Sequence, residues 1–158
     1  MEVSHVSARP KAYFTLWIML NRKLATVDRL AKWGMLHNKA CVLCKSADES
    51  IEHIFIECHY ARKVWERLLY WIDNHSRCPM TWSQFIQWSI QHGKGKTTSA
   101  QLFKSTLAEG VYELWNERNK RLFEDKSSLE DKVVKEIAYV TIARASNSIK
   151  SVINQRKL

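Results

Sequence analysis

Four soft-metal ligands fall within eighteen residues, in the order Cys41-x2-Cys44-x8-His53-x4-Cys58. A Cys-x2-Cys turn lets two thiolates bind one ion from a single loop, and a later His/Cys pair can close the tetrahedron without leaving an open coordination position. A site closed in this way is structural, so the spacing points to zinc (Zn2+) holding a fold together. His53 and Cys58 are the favoured closing pair, and His59 and His37 rank below them as substitutes. Cys78 lies twenty residues past Cys58, in the loop from Asn74 to Met80, and reads as a free thiol.

Other chemistries fit less well. A redox Cys-x-x-Cys pair opens a helix after a strand in a thioredoxin-like unit, and nothing β-rich precedes Cys41. A disulfide framework is not required, because a chain of 158 residues with 46% apolar residues can build its own core. The stretch Gly93-Lys94-Gly95-Lys96-Thr97-Thr98 resembles the tail of a phosphate-binding loop. The glycine that such a loop needs five residues before Gly95 is instead Ile90, and no strand precedes it, so the stretch reads as a flexible basic linker. No paired carboxylates stand in an identifiable constellation, and the chain is expected not to be an enzyme.

With four Gly and two Pro, the composition is neither that of a disordered chain nor that of a typical β-protein. The formal net charge of +9 gives a field that favours RNA, DNA or another polyanion; a basic surface with no such partner is the alternative. The apolar run Ala12 to Leu20 is nine residues long and is closed off by Arg22 and Lys23, too short to cross a bilayer, so no membrane partner is expected. Between Glu2 and Asp28 the chain has no acid and several bases. That composition keeps mitochondrial targeting open beside the nucleus or cytoplasm, although a buried helix is the preferred reading.

The elements that must position the ligands are helices, and the fold class expected is mostly α. The ligands sit in a compact multi-helix region over 9–73, and long C-terminal helices over 81–158 pack on it. Pro10 suits the first turn of a helix running to about Leu24, apolar nearly all round and therefore central. Thr26 reads as the N-cap of a short helix through Trp33, with Gly34 as its stop. Ser50 caps an element beginning at Ile51 that carries His53 in its first turn. From Cys58, the spacing of Ala61, Val64, Trp65, Leu68, Leu69 and Ile72 predicts an amphipathic helix with Arg62, Lys63, Glu66 and Arg67 on its polar face.

Thr81 with Gln84 is a capping-box pattern for a helix holding Trp82, Phe85, Ile86 and Ile90. A long helix follows with the stripe Phe103, Leu107, Val111, Leu114, Trp115 and Leu122, and with Glu117 and Arg121 in the stabilising i,i+4 order. Ser127 with Glu130 is a second capping-box pattern, opening one helix through Leu129, Val133, Ile137, Val140, Ile149, Val152 and Ile153. Trp17, Trp65 and Trp115 fall on apolar stripes and are assigned to the core; Trp33, Trp71, Trp82 and Trp88 are left undecided between core and surface.

Together these residues resemble a known family. Pro10-Lys11, Phe14-x2-Trp17, Leu24-Ala25-Thr26-x-Asp28-Arg29-Leu30, Cys41-x2-Cys44, Glu49-Ser50-x2-His53-x-Phe55-x2-Cys58 and Val64-Trp65 are similar to the zinc-binding domain of reverse transcriptases. The resemblance is to that domain in non-LTR (LINE-type) retrotransposon polyproteins, particularly plant ones, over roughly residues 9 to 72. The segment from Val111 to Phe123 also looks like the region that follows this domain there. The resemblance implies nucleic-acid binding. Polymerase aspartates and a ribonuclease H-like acidic cluster are missing, which implies a separated, host-adopted fragment. Eight residues stand before His53, where the retroviral knuckle has four, so knuckle-like base recognition does not carry over.

The expected function is a non-catalytic, zinc-stabilised module that binds RNA or DNA mainly through phosphates. Lys39, Lys45, Arg62, Lys63 and Arg67 are the candidate backbone contacts, with Arg144, Lys150, Arg156 and Lys157 as the alternative set. The rival reading is an interaction or regulatory protein that presents an apolar helical surface to a protein partner.

Overall fold

The computed structural model describes residues 6–35 and 38–158. Among these the chain forms α1 (Pro10–Leu20), α2 (Val27–Lys32), a π-helical turn (His53–Glu57), α3 (His59–Trp71), α4 (Trp82–Gly93), α5 (Thr98–Phe123), α6 (Glu130–Ala143) and α7 (Asn147–Ile153). Extended pairing among the described residues is limited to isolated bridges, Val6 with Ala145 and Ala40 with Asp48. The fold is mostly α, and no described helix is long and apolar enough to cross a membrane.

The 26-residue α5 is the axis of the molecule, packed against α1, α3, α4, α6 and the π turn. Its sequence predicts one apolar stripe, but contact on several sides also buries Ser105, Thr106, Glu109, Glu113, Glu117 and Arg118. Small residues permit the closest approaches. Ala108 meets Ala8 and Ala12 beside α1, and a Cβ built on Gly110 would lie 2.4 Å from the Trp65 ring of α3. The Glu109 and Glu113 carboxylates are met by Arg9, whose guanidinium bridges them at 2.6 and 2.7 Å.

Helix α1 starts at Pro10 as expected but stops four residues early. Arg22 takes a left-handed conformation (φ 55°), and Arg22 and Lys23 donate their amides to Met19 and Ile18, a Schellman closure made without glycine. Nor is the helix buried all round. Ala12, Thr15 and Met19 face inward, while Phe14 is 61% and Trp17 53% exposed, stacked on each other at 6.2 Å. The assignment of Trp17 to the core is therefore wrong: α5 covers one side of α1 and leaves the aromatic side open.

Helix α2 ends at Lys32 with Trp33 as its C-cap, one residue before the expected end, and Gly34 (φ 72°) follows as the left-handed stop its sequence predicts. Thr26 stands at its N-cap position without a side-chain cap, and the Glu49 carboxylate instead accepts the Val27 amide at 2.7 Å. In α4 the Thr81 hydroxyl accepts the Gln84 amide at 3.2 Å, as the capping pattern requires. The inward residues are Phe85 and Trp88, however, and Ile90 points to solvent. Trp71 and Trp88 resolve to the core; Trp33 lies on the surface and Trp82 is half-buried.

The C-terminal part departs most from its sequence pattern. Ser127 caps nothing: Leu129 occupies the N-cap position of α6 and is 77% exposed. The cause is Ser128, whose amide donates to Glu117 at 2.6 Å and whose carbonyl accepts from Tyr60 and Arg121, so that the backbone here belongs to α3 and α5. The expected single last helix is broken between α6 and α7. Ala145 pairs with Val6 and the Arg144 guanidinium donates to the Ser7 carbonyl at 2.8 Å, pulling the backbone out of helix before Asn147 resumes it. Val152 then faces solvent while Ile149 and Ile153 remain inside.

Candidate metal centre

The first half of the site is a tight hairpin. The Cys41 amide donates to Ala47 at 2.8 Å, Lys45 to Cys41 at 2.7 Å and Glu49 to Lys39 at 2.8 Å, with Lys45 in the left-handed region (φ 57°). This geometry turns Cys41 and Cys44 toward one side. Ser46 supports the second sulfur, its hydroxyl 3.2 Å and its amide 3.5 Å from Cys44 Sγ.

The second half is helical for a local reason. The Ser50 hydroxyl accepts the His53 amide at 3.0 Å, the cap its position predicts. The turn then widens from α to π geometry, and the Cys58 amide reaches back to the His53 carbonyl at 2.7 Å, a five-residue closure. A π turn closes its hydrogen bond over five residues where an α turn closes over four, so the turn is wider. Here it places His53 and Cys58 beside the hairpin while Ile54, Phe55 and Ile56 are sealed in the core.

One ligand atom from each of Cys41, Cys44, His53 and Cys58 comes within 4.8 Å of every other. Cys41, Cys58 and His53 are buried, and Cys44 is half-buried. His53 Nε2 lies 3.1 Å from Cys44 Sγ, so that nitrogen faces the cluster, while Nδ1 lies 3.7 Å from a carboxylate oxygen of Glu57 on the outside. A carboxylate on the far nitrogen is the usual way to fix a ligating imidazole.

The sulfurs already behave as a proton-sharing set. A hydrogen bond from the Cys58 thiol holds Cys41 down at about 6, and the same bond, aided by burial, pushes Cys58 far up. At Cys44 burial opposes ionisation, and hydrogen bonds from Ser46 and His53 outweigh it and lower the thiol. Three sulfurs and one imidazole, convergent and shielded, are the donor set of a closed structural zinc site, and the cluster could hold that ion. When bound, zinc would supply a tetrahedral cross-link between hairpin and π turn, with loss of the remaining thiol protons.

Two arginines of α5 hold the site from outside. Arg121 donates Nη1 to the carbonyls of Val42 (3.3 Å) and Leu43 (3.1 Å), the two residues between the first cysteines. It is fixed in turn by Glu117 at 2.8 Å and by the Tyr60 ring, 4.7 Å from its guanidinium carbon. Arg118 forms a bidentate pair with Glu49 at 2.7 and 3.1 Å, with both side chains fully buried. Leu43 is itself in the core, and Trp65 donates its indole N–H to the Phe55 carbonyl at 2.8 Å.

The expected ligands are thus brought together, and the substitutes are not among them. His59 is exposed at the start of α3, and His37 lies outside the described residues. Cys78 is half-buried away from the cluster, and burial raises its thiol to about 11. The basic candidates divide in two. Lys63 faces Glu130 at 3.4 Å, Arg67 pairs with Asp131, and Arg62 touches the Met80 sulfur at 2.8 Å. Lys39 and Lys45 project from the hairpin into solvent. Sequence reasoning missed Glu49, Arg118, Arg121 and Tyr60 as supports of the loop. The one available signal was Glu117 with Arg121, which reads as an exposed helix pair.

No curated protein and no solved structure matches the chain. Residues 2–65, which contain the whole Cys3His cluster but neither of the arginines that brace it, match the family model for zinc-binding in reverse transcriptase.

Proposed function

We propose that the chain is a non-catalytic module, stabilised by one zinc ion on Cys41, Cys44, His53 and Cys58, that binds RNA or DNA through its phosphates with little sequence preference. The convergence of those four ligand atoms within 4.8 Å carries the reading. A site with four protein ligands has no position left for substrate or activated water, which favours scaffold over catalyst. The family match to zinc-binding in reverse transcriptase and the net charge of +9 support a polyanionic partner. On this reading the chain derives from a plant LINE-type retrotransposon and works in the nucleus or cytoplasm.

Of the proposed phosphate contacts, Lys39 and Lys45 are exposed beside the metal loop, whereas Lys63 and Arg67 are partly neutralised by the start of α6. The test is binding of a single-stranded RNA or DNA oligonucleotide as salt is varied. Phosphate contacts make affinity fall with a log–log slope of about −0.7 per contact on single strands. A protein partner docked on the exposed Phe14 and Trp17 side of α1 is the second reading. It predicts no retained nucleic acid and an interaction that salt leaves unchanged or strengthens.

A further inference from the structure

A cleft of about 350 Å³ opens between the α1–α2 connection, α2 and Glu52, at the lower end of the range of small-ligand sites, about 300–1,000 Å³. Its walls carry three cations, Arg22, Arg29 and Lys32, against two carboxylates, Asp28 and Glu52, together with the Trp33 ring. Trp33 is 59% exposed although it is a large aromatic, and the Arg29 guanidinium lies 5.2 Å from its centroid. Arg29 is pinned there by hydrogen bonds from Nη1 to the carbonyls of Arg22 and Leu24, both 3.2 Å. Arg22 is fixed by the Glu52 carboxylate and lies 4.4 Å over the Trp82 ring. The cleft thus has an aromatic wall and two arginines whose positions are set before any ligand arrives.

A second observation bears on the ligand's chemistry. Thr26, fully buried, and Asp28 both line this cleft, and Thr26 Oγ1 and Asp28 Oδ1 have no hydrogen-bond partner among the described residues. Shielded oxygens without a partner are costly and call for N–H or O–H donors. A simple anion would meet the cations but would be repelled by Asp28 and would leave Trp33 bare. A nucleotide brings a negative phosphate, donor groups on base and sugar, and a flat ring at once.

We infer that this cleft takes one unpaired nucleotide of a single-stranded nucleic acid, its base stacked on Trp33 and its phosphate held by Arg29 and Lys32. A base inside a duplex has both faces covered by its neighbours and cannot reach Trp33, so the cleft selects single strands. This rests on the nucleic-acid reading of the module and adds the site and the strandedness to it.

The experiment uses the full zinc-loaded chain and a labelled twelve-nucleotide single strand, as RNA and as DNA, with the matching duplex as comparison, read by fluorescence anisotropy at low salt. Trp33→Ala is expected to weaken single-strand binding about 5- to 150-fold, the worth of one base–aromatic stack, with zinc content and helical circular dichroism unchanged. Trp33→Phe keeps a stacking ring and is expected to stay within about 3-fold of wild type on the same principle. Wild-type binding of the single strand with no loss in Trp33→Ala overturns the inference and leaves the nucleic-acid reading standing. Equal loss in Trp33→Ala and Trp33→Phe, or a preference for the duplex, also overturns it. Failure of the wild-type chain to bind either strand at low salt overturns the nucleic-acid reading itself.

Discussion

Arg118 of α5 and Glu49 of the metal loop, sixty-nine residues apart in the chain, form a fully buried two-point ion pair, and one Glu49 oxygen also accepts the Val27 amide that opens α2. Three segments therefore meet on one carboxylate: the loop leading into the π turn, the short helix before the hairpin, and the central helix. With Arg121 on the Val42 and Leu43 carbonyls, α5 grips the hairpin half of the site at two points.

Breaking that pair should cost more than its exposed counterparts. Removing one partner of a buried ion pair leaves a charge without water or counter-charge, a loss of about 3–5 kcal/mol. Arg118→Ala is expected to fall in that range by urea denaturation of the zinc-loaded protein, whereas Lys63→Ala, an exposed lysine paired with the half-buried Glu130, should lose less than about 1 kcal/mol. Equal effects would mean that Arg118 does not brace the loop.

Gly110→Ala should destabilise although alanine is the better helix former. The helix term favours alanine by about 1 kcal/mol. The new methyl would stand 2.4 and 2.5 Å from two carbons of the buried Trp65 ring, which is also held by its bond to Phe55. Overpacking of this kind costs about 1–3 kcal/mol, so the melting temperature should drop. A rise would show that α3 and α5 are not in this contact.

Cys78 should be the slow thiol. Burial holds it protonated up to about 11, so at pH 8 its alkylation by iodoacetamide, followed by mass spectrometry, should lag that of a free cysteine and accelerate as pH rises toward 11. The folded value is raised above the ordinary thiol value of about 8.5. Its contribution to stability is therefore fully present below that value and is lost as pH rises through about 11. Cys78→Ser should leave metal content unchanged, and a halved content would make it a ligand.

Charge reversal should separate the two basic groups. Lys39→Glu with Lys45→Glu changes only solvated side chains and is expected to weaken oligonucleotide binding at low salt without loss of helicity. Lys63→Glu with Arg67→Glu places new carboxylates against Glu130 and Asp131, so it should also loosen α6. Undiminished binding by the folded Lys39/Lys45 variant would move the contacts to Arg144, Lys150, Arg156 and Lys157 or to the α2 cleft.

The ligand set, the Ser50 cap, the Gly34 stop and the course of α3 were legible because each depends on residues a few positions apart. What was not legible depends on distant neighbours. Glu117 and Arg121 at i,i+4 read the same whether they face water or the Leu43 carbonyl 78 residues away. Phe14 and Trp17 look like core residues until it is known that one side of α1 has no neighbour among the described residues. The break before Asn147 required Val6 and Ser7, at the opposite end of the chain, to claim the backbone of Ala145 and the guanidinium of Arg144.

The central claim is the zinc site, and X-ray absorption at the zinc edge, on protein purified without chelator, tests it most directly. The account predicts one zinc per chain with three sulfurs at about 2.3 Å and one nitrogen at about 2.0 Å. Cys41→Ser should leave a sulfur-poor, weakly held ion and an unfolded loop, since structural zinc contributes about 10 kcal/mol or more in small zinc domains. Protein that carries no metal, or an ion whose shell holds oxygen in place of a third sulfur, would contradict it.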